Sequence, residues 1–242
     1  MATKSTKPHL QLKKVVIDYI TLNIGLNYIG MYLFLLNHKD KLTNVCEVTV
    51  DELAEEYGCN TRTVKRKIKA LLDSGAVVKD KKGMNIRYLF PFEDYYIKKN
   101  KLPQIIQDFY NDPTTKKRNG FVKAFQEVFT SIKDKDLLGM YYRLLSLQDY
   151  NTKVWSNTFT YVTNGSGLTL QGTINQMEKL KKEGFIIMLK GSEKRKGNKK
   201  TVELQFIKEP EEITKTEAQL EIKKQVKKKY KEVDNNEQNK DE

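Results

Sequence analysis

The chain has little of what catalysis, metal binding or export requires. Its 242 residues include two cysteines, Cys46 and Cys59, and two histidines, His9 and His38. So few cysteines fit a reducing cytoplasm, with both thiols serving as small core residues. A zinc site would need His38, Cys46, Cys59 and a fourth ligand at no recognised spacing, so no metal is expected. A rolling-circle nickase needs paired histidines beside a nucleophilic tyrosine, and His9 and His38 stand alone. The phosphate loop G-x-x-x-x-G-K-[ST] is missing, so ATP use is not indicated. No pocket-forming set of titratable residues can be named, so the expectation is no catalytic residue, no cofactor and no enzyme activity. Long apolar runs are scarce as well. The most apolar, residues 20–36, is short for a membrane span and is broken by Asn23, Gly25, Asn27 and Gly30. The start MATKSTKPHL is polar and lacks a signal core, which gives no reason to expect export. A cytoplasmic chain with a buried 20–36 segment is the expectation.

Positive charge is abundant. Lys and Arg number 44 against 31 acids, for a net charge of +13. That balance favours a polyanionic partner, because Lys and Arg displace counterions from phosphates. An acidic membrane surface is the competing class, and no membrane association is expected. The length allows one or two domains. Residues 211–242 hold eight lysines and nine acids, so the preceding 210 residues carry +14 and the charge belongs to the folded part.

Residues 49–90 contain the most informative pattern. Within TVDELAEEYG, residues 49–58, Thr49 and Glu52 make a capping box, and Gly58 supplies the positive φ that ends a first helix. Residues 60–75, NTRTVKRKIKALLDSG, read as a second helix with Val64, Ile68 and Leu71 on one face. Its other face carries Thr61, Arg62, Lys65, Arg66 and Lys69. Residues 76–78 and 86–90 then make a hairpin with a basic tip, in which Lys81, Lys82 and Arg87 are the candidate DNA contacts. Helix, turn, helix and basic hairpin resemble the winged helix-turn-helix family. A basic stripe on such a helix is the expected footprint of DNA contact. Winged helices also serve as protein–protein modules, and a charged helix face also suits plain solvation.

The pattern recurs. IGMYLFLL at 29–36 matches LGMYYRLL at 138–145, and LLDSGAVV at 71–78 matches LKKEGFII at 180–187, both 109 positions apart. Two tandem winged-helix domains follow from this constant offset. The expected fold class is mainly α with small β wings (α+β), ending in a charged tail. Expected boundaries are a flexible basic arm at 1–11, domains at 12–92 and 121–208, a helical linker at 93–120 and a tail at 209–242. Residues 12–22 fit either a strand or a first helix. In the second copy, residues 157–164 should hold the first helix, weakened by Thr and Phe. Residues 169–183 should form the second recognition helix, with Leu170, Ile174, Met177 and Leu180 inward and Gln171, Asn175, Gln176 and Lys179 elsewhere. Gly172 there suits either a close backbone approach or simple tolerance. The second wing, residues 190–200, is expected to be a mobile loop. Lys190, Lys194, Arg195, Lys196, Lys199 and Lys200 stand there against one acid, Glu193. It suits phosphate contact or plain solubilisation.

Tandem winged helices in one small basic chain also resemble plasmid and phage replication initiators. That resemblance implies double-stranded DNA at an origin as partner, with host replication proteins or a second copy of the chain as further partners. A transcriptional regulator binding an operator, with transcription proteins as partners, has the same features. A non-enzymatic replisome scaffold is the alternative of a different class.

Overall fold

A computed structural model describes residues 9–40, 43, 45–82, 85–92, 104–111, 120–148, 154–188, 194–196 and 199–206. Residues 12–22 split between the two expected states. Strand β1, His9–Lys13, leads directly into helix α1, Lys14–Asn23. His9, Leu10 and Gln11, expected in a flexible arm, therefore belong to a strand, and residues 1–8 lie outside the described residues. A 3-10 turn, Leu26–Tyr28, precedes helix α2, Ile29–Asn37. Strand β2 (Val45–Cys46), helices α3 (Val50–Tyr57) and α4 (Thr61–Asp73), and strands β3 (Val78–Lys82) and β4 (Asn85–Leu89) follow. β4 lies between β2 and β3, antiparallel to both. Helix α5, Gln104–Asn111, is the described part of the connecting segment.

Strand β5, Phe121–Phe125, pairs antiparallel with β1, Gln11 lying opposite Lys123. Helices α6 (Gln126–Ser131) and α7 (Leu137–Leu147), strand β6 (Val154–Asn157) and helices α8 (Phe159–Thr163) and α9 (Leu170–Lys182) come next. Strands β7 (Ile186–Met188), β8 (Lys194–Lys196) and β9 (Lys199–Phe206) close the described chain. β9 lies between β6 and β7 and also pairs with β8. α9 begins and ends 109 positions after α4, while β5 and α6 begin 112 positions after β1 and α1.

Residues 194–196, expected within a mobile loop, form a strand on residues 199–201 instead. The tail after residue 209 and most of the 93–120 linker lie outside the described residues.

Among the described residues the core is one buried cluster, from Leu12 to Ile186, drawing on α1–α4 as well as α7 and α9. α2 is buried over residues 29–36, and eight of its nine residues are apolar or glycine, as a helix packed on all sides must be. α7 is the counterpart. The two approach closely because a glycine lies at each crossing: a Cβ on Gly30 would come 2.7 Å from the Lys135 carbonyl oxygen, and one on Gly139 would come 1.9 Å from that of Leu26. Asp18 of α1 and Arg143 of α7 form a buried ion pair across the same contact. Among the described residues no helix is long and apolar enough to cross a membrane.

Candidate nucleic-acid interface

Local chemistry sets the angle between α3 and α4. Thr49 Oγ1 accepts from the Glu52 amide at 3.2 Å, and the Glu52 carboxylate accepts from the Thr49 amide at 2.8 Å and its hydroxyl at 2.9 Å. That completes a capping box at the N-terminus of α3. The Thr49 amide, followed by its hydroxyl, holds the Glu52 carboxyl below its ordinary range. At the other end Gly58 takes φ 70° and ψ 37°. The Gly58 amide donates to Glu55 O at 3.2 Å and the Cys59 amide to Ala54 O at 3.0 Å, a Schellman closure. Asn60 then caps α4, its Oδ1 accepting from the Thr63 amide at 2.8 Å. The turn is thus three residues, Gly58, Cys59 and Asn60.

α4 buries Val64, Ile68 and Leu71 and exposes Arg62, Lys65, Arg66 and Lys69, with Thr61 half-buried at its first position. These four cations form an outward row. Lys67 departs from them: it is buried and points to the other copy. Sequence reasoning gave Lys67 no role. The available signal was its spacing, three residues after Val64 and four before Leu71, on the apolar face of the helix. Arg87 of β4 is half-buried and ion-paired to Glu47 beside β2. Lys81 and Lys82 lie on β3, and their side chains are outside the described residues.

α9 repeats the construction. Thr169 caps it, accepting from the Gly172 amide at 3.0 Å. Thr173, Met177 and Leu180 are buried, the positions matching Val64, Ile68 and Leu71. Leu170, expected on that face, is 48% exposed. It occupies the position of Thr61, at the outward first turn, and the register of the helix overrides its hydrophobicity. Ile174 is half-buried. Gln171, Asn175 and Lys179 are exposed. Gln171 Nε2 donates to Asn175 Oδ1 at 2.9 Å, and Lys179 reaches Asp134 at 3.2 Å in an exposed pair that contributes little. Gln176 turns inward, its Nε2 donating to Asn27 Oδ1 at 3.2 Å. A Cβ on Gly172 would meet the Thr169 hydroxyl at 3.2 Å and no backbone, so this glycine serves no close approach. Lys194, Arg195 and Lys196 lie on β8 and Lys199 and Lys200 on β9, with Arg195 opposite Lys200. Their side chains are outside the described residues.

Neither cysteine is poised for chemistry. Burial pushes the Cys46 thiol up to about 12, and burial also raises Cys59. Among the described residues no group of three or more His, Cys, Asp or Glu could hold a metal ion.

Residues 34–85 match the family model described as HTH domain. This segment is thus similar to helix-turn-helix domains. The matched residues run from α2 through the capped α3–α4 pair to the start of β4. The match supports DNA as a partner of this segment. Compared with curated proteins, the chain matches none.

Proposed function

We propose that the chain is a double-stranded DNA-binding protein with two winged helix-turn-helix units in tandem, α4 lying in one major-groove segment and α9 in the next. The observation that carries this reading is the exposed row Arg62, Lys65, Arg66 and Lys69, opposite the buried row of the same helix. Arg and Lys in that position pair with guanine O6 and N7, and Gln171 and Asn175 suit adenine. Leu170, exposed beside Gln171, offers the apolar surface that meets a thymine methyl. Lys81 and Lys82 of the first hairpin and Lys194, Arg195, Lys196, Lys199 and Lys200 of the second are assigned phosphate contact in this reading. Binding is the whole activity in this reading, with no catalytic step, cofactor or metal.

Replacing Arg62 or Arg66 by Ala should weaken specific binding by about 1–3 kcal/mol each where the side chain pairs with a base. Fluorescence anisotropy against a duplex selected by the intact chain measures this. Unchanged affinity in both folded variants removes α4 from the interface. Neutralising Lys194, Arg195 and Lys196 together should act differently. It should weaken binding to every sequence alike and flatten the dependence of log K on log salt by about 0.9 for each phosphate no longer neutralised. A weakening confined to one sequence at an unchanged slope contradicts phosphate contact by the second hairpin.

The role proposed for this binding is origin recognition, as in plasmid and phage replication initiators. Two binding units in one chain of net charge +13 support it. A transcriptional repressor would use the same units. A footprint across the protein's own locus separates the two: protection of short direct repeats supports the initiator, and protection of a promoter operator replaces it.

A further inference from the structure

Lys67 on α4 and Gln176 on α9 are 109 positions apart, and so are Asn27 and Asp136. These four residues meet crosswise. Lys67 Nζ donates to Asp136 Oδ1 and to the Asn27 carbonyl oxygen, both at 2.8 Å. Gln176 Nε2 donates to Asn27 Oδ1 at 3.2 Å. Each of the two helices therefore reaches the turn that precedes the other copy's core helix: Asp136 stands directly before α7, and Asn27 lies in the 3-10 turn before α2.

The neighbouring contacts are reciprocal in the same way. The Leu26 amide donates to Ser166 O at 2.9 Å, and the Tyr57 hydroxyl donates to Lys135 O at 3.4 Å. Ser166 is the counterpart of Tyr57, and Lys135 that of Leu26, again 109 positions on. The Gly30 and Gly139 crossings are reciprocal too, Gly30 facing the Lys135 carbonyl oxygen and Gly139 that of Leu26. A contact in which i meets j while j meets i is the signature of a two-fold interface, here formed within one chain. The two halves of this interface differ in chemistry. One is an ion pair, with Lys67 7% exposed and Asp136 43% exposed, and its ammonium lies 5.4 Å and 5.5 Å from the Tyr28 and Tyr57 ring centroids. The other joins two neutral amides.

We propose that Lys67 and Gln176 are positioning residues that fix the spacing between the two DNA segments read by α4 and α9. This rests on the DNA-binding reading above. The outward faces of the two helices do the reading, and the inward Lys67 and Gln176 hold those faces at one separation. An extra base pair between the segments moves the second by about 3.4 Å along the axis. It also rotates that segment by about a tenth of a turn. A rigid tie cannot follow such a step, so the gain from joining the two binding surfaces disappears. A loosened tie can follow it.

The probe is a duplex enriched by the full chain from a random-sequence pool, together with versions carrying one or two base pairs inserted at its centre. The wild-type chain should bind about tenfold or more weakly on insertion, as linked binding surfaces do when geometry forbids both at once. The Lys67→Met/Gln176→Leu variant should lose a measurable part of that penalty on the same duplexes, because α4 and α9 are then held by the shared core without their own polar ties. Lys67→Gln with Asp136→Asn copies the amide pairing of the other half and should restore most of the spacing penalty. Asp136→Asn alone, at a half-exposed site, gives a milder version of the same relaxation if the double variant fails to fold. Folded variants that keep the full wild-type penalty overturn the assignment of Lys67 and Gln176. A wild-type chain indifferent to every insertion overturns instead the two-helix reading on which the assignment rests.

Discussion

Gly139→Ala is expected to cost about 3 kcal/mol or more of folding stability, at the upper end of overpacking effects. The added Cβ would lie 1.9 Å from the Leu26 carbonyl oxygen and 2.7 Å from its carbon. Both are backbone atoms, so no side chain can rotate away. α7 would have to withdraw from the 3-10 turn, and Leu26, Met140 and Leu144 are buried in the core it shares with α2. A destabilisation of that size is a large part of the roughly 5–15 kcal/mol that holds an ordinary domain together. Gly172→Ala is the internal control. Its Cβ would meet only side chains, the Thr169 hydroxyl at 3.2 Å and the Leu168 Cβ at 3.8 Å, and Ala gains up to about 1 kcal/mol over Gly within a helix. Urea midpoints read both. A Gly139→Ala chain within about 1 kcal/mol of wild type contradicts the close crossing of α7 over the turn, since overpacking of this kind typically costs 1–3 kcal/mol.

Arg143→Ala should be comparably damaging. Arg143 and Asp18 are 5% and 6% exposed, and together they join α7 to α1. Removing the cation leaves a carboxylate in the core, a destabilisation of about 3–5 kcal/mol for pairs of this kind. Arg143→Met with Asp18→Leu removes both charges at similar volume, and should recover most of that stability or exceed wild type. Chemical denaturation of the single and double variants checks the sign. If the double variant is as unstable as Arg143→Ala, packing rather than the stranded charge accounts for the effect. Cutting the chain between the copies should also be costly, because each half would carry one member of this pair.

The parts of the fold legible in the sequence are those set by local chemistry. Thr49 with Glu52 and the left-handed Gly58 mark the start and end of α3 without help from distant residues, whereas residue 60, included in the second helix by the sequence reading, is its cap. The 3.6-residue spacing of Val64, Ile68 and Leu71 gives the inward face directly. The 109-residue offset locates α9 to within a residue at each end, because caps and the glycine after the helix recur with it. What was not legible depends on residues distant in sequence. Leu170 is as apolar as a core residue, and only the register of α9 turns it outward. Lys67 resembles its cationic neighbours, and only Asp136 and Asn27 give it an inward partner. Gln176 is an amide like Gln171, but it is used on Asn27. The β1–β5 ladder could not be foreseen because residues 9–13 and 121–125 pair across more than a hundred positions. The same is true of the Asp18–Arg143 pair, since nothing local marks either residue as buried.

The central claim is that α4 reads the major groove through its cationic row. Dimethyl sulfate protection at guanine N7 tests it most directly, on a duplex enriched by the intact chain. Bound wild-type protein should protect a discrete set of guanines. Arg62→Ala or Arg66→Ala should expose some of that set, while guanines outside the segment read by α4 stay protected. Guanines equally protected by wild type and by both variants, with the fold intact, would place the major groove outside the reach of α4 and contradict that claim.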